Sequence, residues 1–324
     1  MTALLKADNL VKQFPVKGGI FSRVVGAVHA VSGVSFEIGP GETLGLVGES
    51  GCGKTTIARM AARLMEPDEG VIAFQGADIT RLKGKGLKPY RRKIQMIFQD
   101  PYSSLNPRMK VGDIVAEPLV IHREVTRRDK KKKVGDLLEQ VGLSRDFYDR
   151  YPHEFSGGQR QRVGIARAIA LVPPLVIADE PVSALDVSVA AQIVNLMQDL
   201  QEKFGISYLF ISHDLKMVNY LSHRIAVMYL GKIVETGSRV GMQRPLHPYT
   251  QALIAAIPIA DPKTKRKKII LAGEIPSPMA PPSGCAFHTR CPFAEKRCRE
   301  EVPVIKEWQK EHWAACHFVD KVNV

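Results

Sequence analysis

The sequence predicts an α/β fold with a parallel sheet, because three short apolar segments have the pattern of strands buried on both faces. They cover residues 43–47, 174–178 and 207–211, and each is followed by polar or glycine-rich residues. This is expected where parallel strands end at an edge of the sheet that carries a ligand. Residues 187–204 place apolar side chains at helical spacing, which completes a strand–helix–strand unit between the last two segments.

Length, composition and charge narrow the class of protein. The 324 residues suggest about two domains, and 45% hydrophobic with 24% charged residues argue against a largely disordered chain. No apolar run approaches the roughly 18 residues of a membrane span, and residues 1–10 lack a secretory signal, so we expect a cytosolic protein. The net charge of +13 favours a polyanion, an anionic membrane surface or a phosphorylated ligand.

Changes in amino-acid composition along the chain indicate how it divides into domains. Residues 110–150 are mostly helical in pattern and strongly basic at 127–133, so we predict a helical subdomain at about 100–165. After Val234 prolines become dense, and a charged run follows at 263–268. We therefore predict one domain at 1–244 and a loop-rich extension at 245–324.

A phosphate-binding loop follows the first predicted strand. Residues 48–55 match G-x-x-x-x-G-K-[ST], in which backbone N–H groups turn towards phosphate oxygens and Lys54 adds a point charge. The hydroxyl of Thr55 can bind Mg²⁺. The predicted nucleotide contacts here are Gly48, Glu49, Ser50, Gly51, Cys52, Gly53, Lys54, Thr55 and Thr56.

Acidic residues at the end of the second predicted strand complete such a site. Asp179 stands where a carboxylate can hold Mg²⁺ through water, and Glu180 stands where a general base can polarise a water that attacks the γ-phosphoryl group. His213, which ends the next strand, is expected at the same edge as a γ-phosphate contact. A solvated acidic pair and a structural histidine are the alternatives.

A second candidate anion-binding helix terminus lies in residues 155–162. It offers Ser156, Gly157, Gly158 and Gln159 at the start of a predicted helix. One chain cannot easily direct both termini at one phosphate. We therefore expect a head-to-tail dimer, in which the Ser156 turn of one subunit closes over the nucleotide of the other.

These segments together resemble the ATP-binding-cassette (ABC) ATPases, because Phe155-Ser156-Gly157-Gly158-Gln159 matches the family's signature motif. The resemblance implies ATP and Mg²⁺ as cofactors, a parallel-sheet core, an antiparallel β subdomain and a helical subdomain. It implies that Gln99 is a catalytic residue that senses and binds Mg²⁺ and contacts the membrane subunits. It also implies that Asp186 lies at the dimer interface and contacts the nucleotide, and that His213 is the switch histidine. Phe14 resembles the aromatic residue that stacks on adenine. A core residue at a strand edge is the alternative for Phe14, since an insertion at about 16–29 disturbs this alignment.

The resemblance extends beyond the cassette. Residues 245–253 and 273–278 are similar to the C-terminal extension of ATPases that serve oligopeptide and dipeptide importers, and of those that serve nickel importers. Residues 98–107 are similar to that group too, and Gln159 favours its F-type members. The resemblance implies two membrane-spanning permease subunits, a second ATPase (a paralogous D-type chain or a second copy), indirect contact with an extracytoplasmic solute-binding protein, and a place on the cytoplasmic face of the membrane.

Four cysteines crowd into the extension. Cys285, Cys291, Cys298 and Cys316 are separated by five, six and 17 residues. Four thiolates could hold zinc or an iron–sulfur cluster, and the absence of close C-x-x-C pairs favours the larger cluster. The resemblance implies 4Fe–4S ligands. A zinc site of cysteines and nearby histidines and unmetallated structural thiols are the alternatives; the histidines are His288, His312 and His317.

An ABC ATPase that acts on nucleic acid is the second functional class, and the positive charge favours it. However, the chain has one cassette, and its basic runs at 127–133 and 263–268 lack interleaved aromatic residues. We therefore expect no nucleic-acid partner. An exporter ATPase is disfavoured, because the proline-rich extension resembles that of importers.

Overall fold

The computed structural model describes residues 2–18, 23–256, 271 and 273–322. The basic run at 263–268 and part of the predicted insertion at 16–29 lie outside the described residues. In the described part of the chain, the strands are β1 (Leu5–Gly18), β2 (Arg23–Ile38), β3 (Thr43–Val47), β4 (Glu69–Phe74), β5 (Ala77–Asp78), β6 (Ile94–Ile97), β7 (Leu175–Asp179), β8 (Ser207–Ser212), β9 (Arg224–Tyr229), β10 (Lys232–Ser238), β11 (Lys306–Gln309) and β12 (His312–Ala314).

Helices surround these strands. The α-helices within the described ranges are α1 (Lys54–Ala61), α2 (Gly84–Lys93), α3 (Pro101–Ser104), α4 (Val111–Ile121), α5 (Lys130–Gln140), α6 (Gly157–Ile169), α7 (Val187–Phe204), α8 (Leu215–Leu221), α9 (Pro248–Ala255), α10 (Lys296–Glu300) and α11 (Val319–Val322). Short 3₁₀ helices lie at Arg145–Asp149, Pro152–Glu154 and Gly241–Gln243.

The central sheet has the order β11-β12-β10-β9-β3-β8-β7-β6. The pairs from β9 to β6 are parallel, which confirms the predicted parallel core. Every residue of β3, β7 and β8 is buried, because helices cover both faces of this part of the sheet. The carboxyl ends of these strands therefore meet at one edge.

A second sheet forms the antiparallel β subdomain that the resemblance implies. Its order is β2-β1-β4-β5, and β1 and β2 pair over most of their length as a long arm. Leu5, Leu10 and Ile38 are fully buried on its inner face, in one apolar cluster with residues of α1. The arm is thereby fixed beside the helix that follows the phosphate loop.

The predicted helical subdomain is also present, since α3 to α6 occupy most of the predicted 100–165 segment. Val115, Leu119 and Leu138 are buried at helical spacing and pack in the same apolar cluster as residues of α6 and α7. None of the helices in the described ranges combines the length and hydropathy that a membrane span requires.

The extension joins the central sheet, which sequence reasoning did not predict. Strand β12 pairs antiparallel with β10, and β11 pairs with β12. The joint contains a buried carboxylate, Glu235, which accepts hydrogen bonds from the N–H groups of Leu246 and His247 at 2.7 and 2.9 Å. The ring of His312 lies 2.7 Å from the same carboxylate. Because both side chains are buried, removing either would leave an unpaired polar group in the interior.

Candidate nucleotide-binding and hydrolysis site

The phosphate loop leads from β3 into α1, as predicted. Gly53 stands at the N-terminus of α1 with φ +108°, and a Cβ there would collide with the carbonyl oxygen of Ala30 on β2. Only glycine meets both conditions. No side chain among the described residues caps α1 at Gly53. The positive end of the helix and its N–H groups therefore face the space in which the sequence predicts phosphate.

Lys54 closes this loop from within. Its side chain is 4% exposed, and Nζ donates to the carbonyl oxygens of Gly48 at 2.7 Å and Glu49 at 3.0 Å. Cys52 is also buried, and burial raises the pKa of its thiol. The ammonium group thus lies in the centre of the loop, where a phosphate oxygen would meet it.

Glu49 has partners that the sequence did not reveal. Its carboxylate accepts two hydrogen bonds from the guanidinium of Arg290, at 2.9 and 3.3 Å. Its N–H donates to the hydroxyl of Tyr249 at 3.0 Å. Glu49 therefore contacts the protein with every polar group, which assigns it to the support of the loop. No spacing or periodicity connects positions 49, 249 and 290.

The predicted Mg²⁺ ligands Thr55 and Asp179 lie together. The Thr55 hydroxyl donates to Asp179 Oδ1 at 3.3 Å, and Asp179 is 3% exposed. Burial raises the pKa of Asp179; the Thr55 hydrogen bond opposes that shift, and the charge of Glu180 adds to it. A hydroxyl and a carboxylate beside the phosphate loop are the hard oxygen ligands that Mg²⁺ prefers, so these residues fit the ion.

Gln99, Glu180 and His213 converge from the ends of three adjacent strands, β6, β7 and β8. Gln99 Nε2 donates to Glu180 Oε2 at 3.1 Å, and His213 Nδ1 lies 3.3 Å from the same oxygen. Glu180 has φ +46°, a left-handed conformation that costs energy for a residue other than glycine. Its N–H donates to the Ile211 carbonyl, which holds the strained backbone in place. The candidate base thus has an amide and an imidazole at hydrogen-bond distance.

The Ser156 turn forms a closed cap of its own. The Ser156 hydroxyl accepts the Gln159 N–H at 3.3 Å, and Gln159 Oε1 accepts the Ser156 N–H at 3.0 Å. A Cβ on Gly158 would approach Val189 Cγ1 to 2.5 Å, so this turn packs closely on α7. Asp186 caps α7, and the hydrogen bond from Ser188 lowers its pKa. Among the described residues, no hydrogen bond joins the Ser156 turn to the phosphate loop.

Phe14 lies half-buried on β1, opposite Val28 of β2. The Lys12 ammonium lies 5.9 Å from the centre of its ring. Ala30, whose carbonyl packs on Gly53, lies two residues from Val28 on the same strand. The structure thus places Phe14 on the arm that touches the phosphate loop, while its contact with adenine stays a prediction.

The four cysteines gather in one region. The Cys285 N–H donates to the Cys298 carbonyl at 2.8 Å. Cys298 also lies close enough to Cys285, Cys291 and Cys316 for its charge to raise the pKa of each of these thiols. Burial raises the pKa of Cys285 to about 11 and of Cys291 to about 12. In the described ranges, no group of three or more Cys, His, Asp or Glu side chains is arranged to hold a metal ion.

The histidines of the rival zinc site have other partners. His312 pairs with Glu235, His288 Nδ1 lies 2.9 Å from the Cys285 carbonyl, and His317 Nε2 lies 3.1 Å from the Glu301 carbonyl. Zinc and an iron–sulfur cluster are both without support in the described part of the chain, because no group of three or more candidate ligand side chains is arranged there to hold a metal ion.

An apolar groove runs beside Gln99, between the central sheet and the helical subdomain. It encloses about 340 Å³ and is lined by residues of β6, α4 and α6. Leu64, Phe98 and Ile121 are exposed large apolar side chains in its lining. The groove gives a partner protein direct access to the segment that carries Gln99.

Both the N-terminal part and the C-terminal extension of the chain are similar to known proteins. The family model of ABC transporters matches residues 31–183, and that of the oligopeptide/dipeptide transporter C-terminal region matches residues 234–298. The chain is 54% identical over 319 residues to the oligopeptide transport ATP-binding protein AppF of Bacillus subtilis (strain 168), with 97% of each chain covered. It is 48% identical over 320 residues to the dipeptide transport ATP-binding protein DppF of Haemophilus influenzae, with 98% of each chain covered. The dimeric, post-hydrolysis structure of the ATP-binding cassette MJ0796 with ADP and Pi matches with a TM-score of 0.65 and 28% identity, over 72% of this chain and 98% of that chain.

Proposed function

The chain belongs to the ATP-hydrolysing subunits of ABC transporters, and from this premise we propose that it energises an importer of di- and oligopeptides. Two relatives at about half identity over nearly the whole chain are named as oligopeptide and dipeptide transport ATP-binding proteins. The match of residues 234–298 to the oligopeptide/dipeptide transporter C-terminal region supports the same substrate class. Nickel import and action on nucleic acid are not favoured, because these relatives are peptide transport proteins.

The observation that carries the catalytic proposal is the convergence of Gln99 and His213 on one oxygen of Glu180. In our proposal Glu180 is the general base, which takes a proton from the water that attacks the γ-phosphorus. Gln99 orients that carboxylate and contacts the metal, and His213 contacts the γ-phosphate. The hydrogen bond from the Glu180 N–H to the Ile211 carbonyl holds the backbone that presents this carboxylate at the edge of the sheet.

The remaining residues bind the nucleotide in this proposal. Thr55, Gln99 and Asp179 would hold Mg²⁺, which neutralises charge on the transferring phosphoryl group when bound. Lys54 and the N–H groups of the phosphate loop bind phosphate oxygens, and Phe14 stacks on adenine. The remaining members of the loop are Gly48, Ser50, Gly51, Cys52, Gly53 and Thr56, with Glu49 acting as support.

Two cassettes share each nucleotide in the proposed cycle. The Ser156 turn of one chain closes over the phosphates held by its partner, with Gly157, Gly158 and Asp186 beside it. The similarity to a dimeric cassette with ADP and Pi supports this arrangement. Closure with ATP and opening after hydrolysis would drive alternating access in two permease subunits. The second cassette is a D-type paralogue or a second copy of this chain.

The groove beside Gln99 is the proposed contact with the permease subunits. Its exposed apolar side chains Leu64, Phe98 and Ile121 suit a short amphipathic segment of a membrane subunit. A partner bound there would be linked through residues 98–99 to the carboxylate of Glu180. In this proposal the chain lies on the cytoplasmic face of the membrane, next to subunits that contact the solute-binding protein.

The iron–sulfur cluster is a separate proposal that rests on cysteine spacing and on resemblance. Metal and acid-labile sulfide analysis of anaerobically purified protein tests it. Iron and sulfide near about four per chain, with a broad brown absorbance, would support a cluster at Cys285, Cys291, Cys298 and Cys316. One zinc without sulfide, or neither metal, would refute it and leave the ATPase proposal unchanged.

Peptide transport is tested by reconstituting the chain with its permease subunits, its second ATPase and the binding protein in vesicles. Uptake of a labelled dipeptide and a labelled oligopeptide should require ATP and should be lost with Glu180→Gln. Nickel uptake under the same conditions, or ATP hydrolysis without uptake of either peptide, would contradict the proposal. A Glu202→Gln variant on the exposed face of α7 provides the matched control.

A further inference from the structure

The phosphate loop is held by residues that lie far outside the nucleotide-binding motif. Glu49 is fixed at all three of its polar groups: the carboxylate by Arg290, the N–H by Tyr249 and the carbonyl oxygen by Lys54. Tyr249 and Arg290 both belong to the C-terminal extension, 200 and 241 residues further along the chain. The extension therefore touches the loop through two independent side chains.

The contact between Glu49 and Arg290 has the geometry of a strong ion pair. The Arg290 side chain is 9% exposed, and its guanidinium donates to both carboxylate oxygens. Burial lowers the pKa of Arg290, but its hydrogen bonds to Glu49 and its proximity to Tyr229 outweigh that effect and leave the pKa raised. Bidentate charged hydrogen bonds of this kind fix orientation as well as distance.

An aromatic cluster makes the Tyr249 and Arg290 contacts rigid. The rings of Tyr229, Tyr249 and Phe287 are all buried, with centres 4.7 to 5.4 Å apart. Tyr229 ends β9, which pairs with the β3 strand that carries the loop. Phe287 and Arg290 lie between Cys285 and Cys291, in a segment that we call the cysteine loop (residues 285–291). The cysteine loop is thus packed directly against the support of the phosphate loop.

A second contact fixes the extension at the arm. The Pro278 carbonyl accepts the His29 N–H of β2 at 3.0 Å. A Cβ on Gly26 of the same strand would lie 3.3 Å from Met279 Cε. Because β2 also packs on Gly53, residues of the extension approach the phosphate loop from two sides.

We propose that Arg290 and Tyr249 are positioning residues of the nucleotide site, which act through Glu49, and that the cysteine loop is thereby a structural part of that site. The proposal rests on the proposed role of residues 48–55 in phosphate binding. Gly51 and Gly53 have φ +80° and +108°, and glycine gives the backbone of the loop more conformational freedom than another residue would, so contacts elsewhere in the loop matter for its order. When Glu49 is released, the phosphate-binding N–H groups become less ordered. Part of the binding free energy of ATP is then used to order them, so the affinity for ATP falls.

Release of Glu49 should change the affinity for ATP more than it changes the rate of hydrolysis. Gln99, Glu180 and His213 follow β6, β7 and β8, and none of them contacts Glu49 among the described residues. Loss of Arg290 should therefore weaken ATP binding while the hydrolytic groups keep their mutual hydrogen bonds. A purely structural role for Arg290 would instead lower the fraction of folded protein and reduce kcat without changing KM.

The test is a kinetic and binding comparison of Arg290→Ala, Arg290→Lys, Glu49→Ala and the double variant in the full chain. Arg299→Ala, an exposed arginine on α10 of the same extension, is the matched control. We expect Arg290→Ala to raise the KM for ATP and the Kd for a fluorescent ATP analogue about tenfold, with kcat within about threefold. Lysine should restore part of the affinity, and the double variant should be no weaker than either single variant.

The outcomes separate this proposal from the nucleotide-binding proposal. Unchanged KM in Arg290→Ala, a fall in kcat alone, or additive effects in the double variant would each overturn the positioning role. If wild-type protein itself does not bind the analogue, the phosphate-loop assignment fails first. Should Arg290→Ala fail to fold, Tyr249→Phe removes only the hydroxyl that accepts the Glu49 N–H, and it should raise KM about two- to threefold. A Tyr249→Phe variant with wild-type KM would contradict the proposal.

Discussion

Two helix N-termini in this protein are suited to anions, yet they are built in opposite ways. At α1 the cap is Gly53, no described side chain satisfies the helix N–H groups, and the loop is supported by Tyr249 and Arg290 from the distant extension. At α6 the cap is Ser156, which exchanges hydrogen bonds with Gln159 three residues later. The first terminus is open and remotely supported, whereas the second is closed and self-contained.

The difference is consistent with the proposal that two chains share one ATP. The N–H groups at α1 remain available to several phosphate oxygens, so this terminus can bind the nucleotide alone. The turn at α6 has already used two N–H groups, those of Ser156 and Gln159, and its shape is fixed by this cap and by packing on α7. It is therefore suited to be presented intact to a second cassette.

The largest effect is expected for Glu180→Gln, which should separate ATP binding at α1 from hydrolysis at the carboxyl edge of the central sheet. Glu180→Gln keeps the size of the side chain and the hydrogen bond with Gln99 but cannot accept a proton from water. We expect kcat to fall about 10²-fold or more, with the Kd for ATP changed less than about threefold. Phosphate release and equilibrium nucleotide binding measure the two quantities. Near-normal hydrolysis would contradict the general-base assignment.

The remote support of α1 should show a pH dependence that the α6 cap does not share. Burial lowers the pKa of His247 to about 4 from an ordinary 6.5. Between these values the unfolded chain binds more protons than the folded chain, so the free energy of unfolding falls as the pH is lowered from 6.5 to 4. The full loss is about 3 kcal/mol. His247 Nδ1 accepts the N–H of Tyr249 at 3.1 Å, which connects this residue to the support of the phosphate loop. Denaturant unfolding should show this slope in wild type and a reduced slope in His247→Asn, whose side-chain oxygen retains an acceptor for that N–H. Equal slopes would contradict this role of His247.

The packing of the α6 turn can be tested with two adjacent glycines. A Cβ on Gly158 would press on Val189, whereas one on Gly157 would make an ordinary 3.4 Å contact with Leu185. Gly158→Ala should lower the free energy of unfolding by about 1–3 kcal/mol, and Gly157→Ala should change it by less than about 0.5 kcal/mol. If both substitutions had the same effect on chemical denaturation, the turn would not be packed on α7 as described.

The smallest effect concerns the cap itself. Ser156→Ala removes the hydroxyl that accepts the Gln159 N–H and should lower the free energy of unfolding by about 1 kcal/mol. Ser156→Thr keeps a hydroxyl at the same position and should lose less. A thermal or denaturant transition indistinguishable from wild type in the alanine variant would show that the cap is not stabilising the turn.

The elements that sequence reasoning predicted are those with a repeating pattern or a strict local motif. Strands β3, β7 and β8 were predicted within one residue, and α7 was predicted with its observed bounds, because continuous apolar runs and helical spacing are local signals. The meeting of Thr55 with Asp179 follows from the rule that parallel strands end at one edge.

The contacts that the sequence did not reveal join single residues across long separations. Glu235 and His312 are 77 residues apart, and Glu49 and Arg290 are 241 residues apart, so no periodicity marks them. The hairpin of β11 and β12 was missed because its strands have four and three residues, too few for an alternating pattern. Gln159 and Asp186 were predicted as nucleotide contacts, and their side chains also cap their own helices, which spacing alone does not distinguish.

We propose that α1 binds ATP alone and that the α6 turn acts only across a dimer. Both statements can be tested on the isolated chain, kept monomeric as checked by light scattering. Equilibrium binding of ATP to the wild-type chain, Lys54→Ala and Ser156→Ala tests both. We predict that Lys54→Ala weakens binding by about tenfold or more and that Ser156→Ala leaves the Kd within about twofold. A Ser156→Ala variant that lost as much affinity as Lys54→Ala would contradict this division of the site.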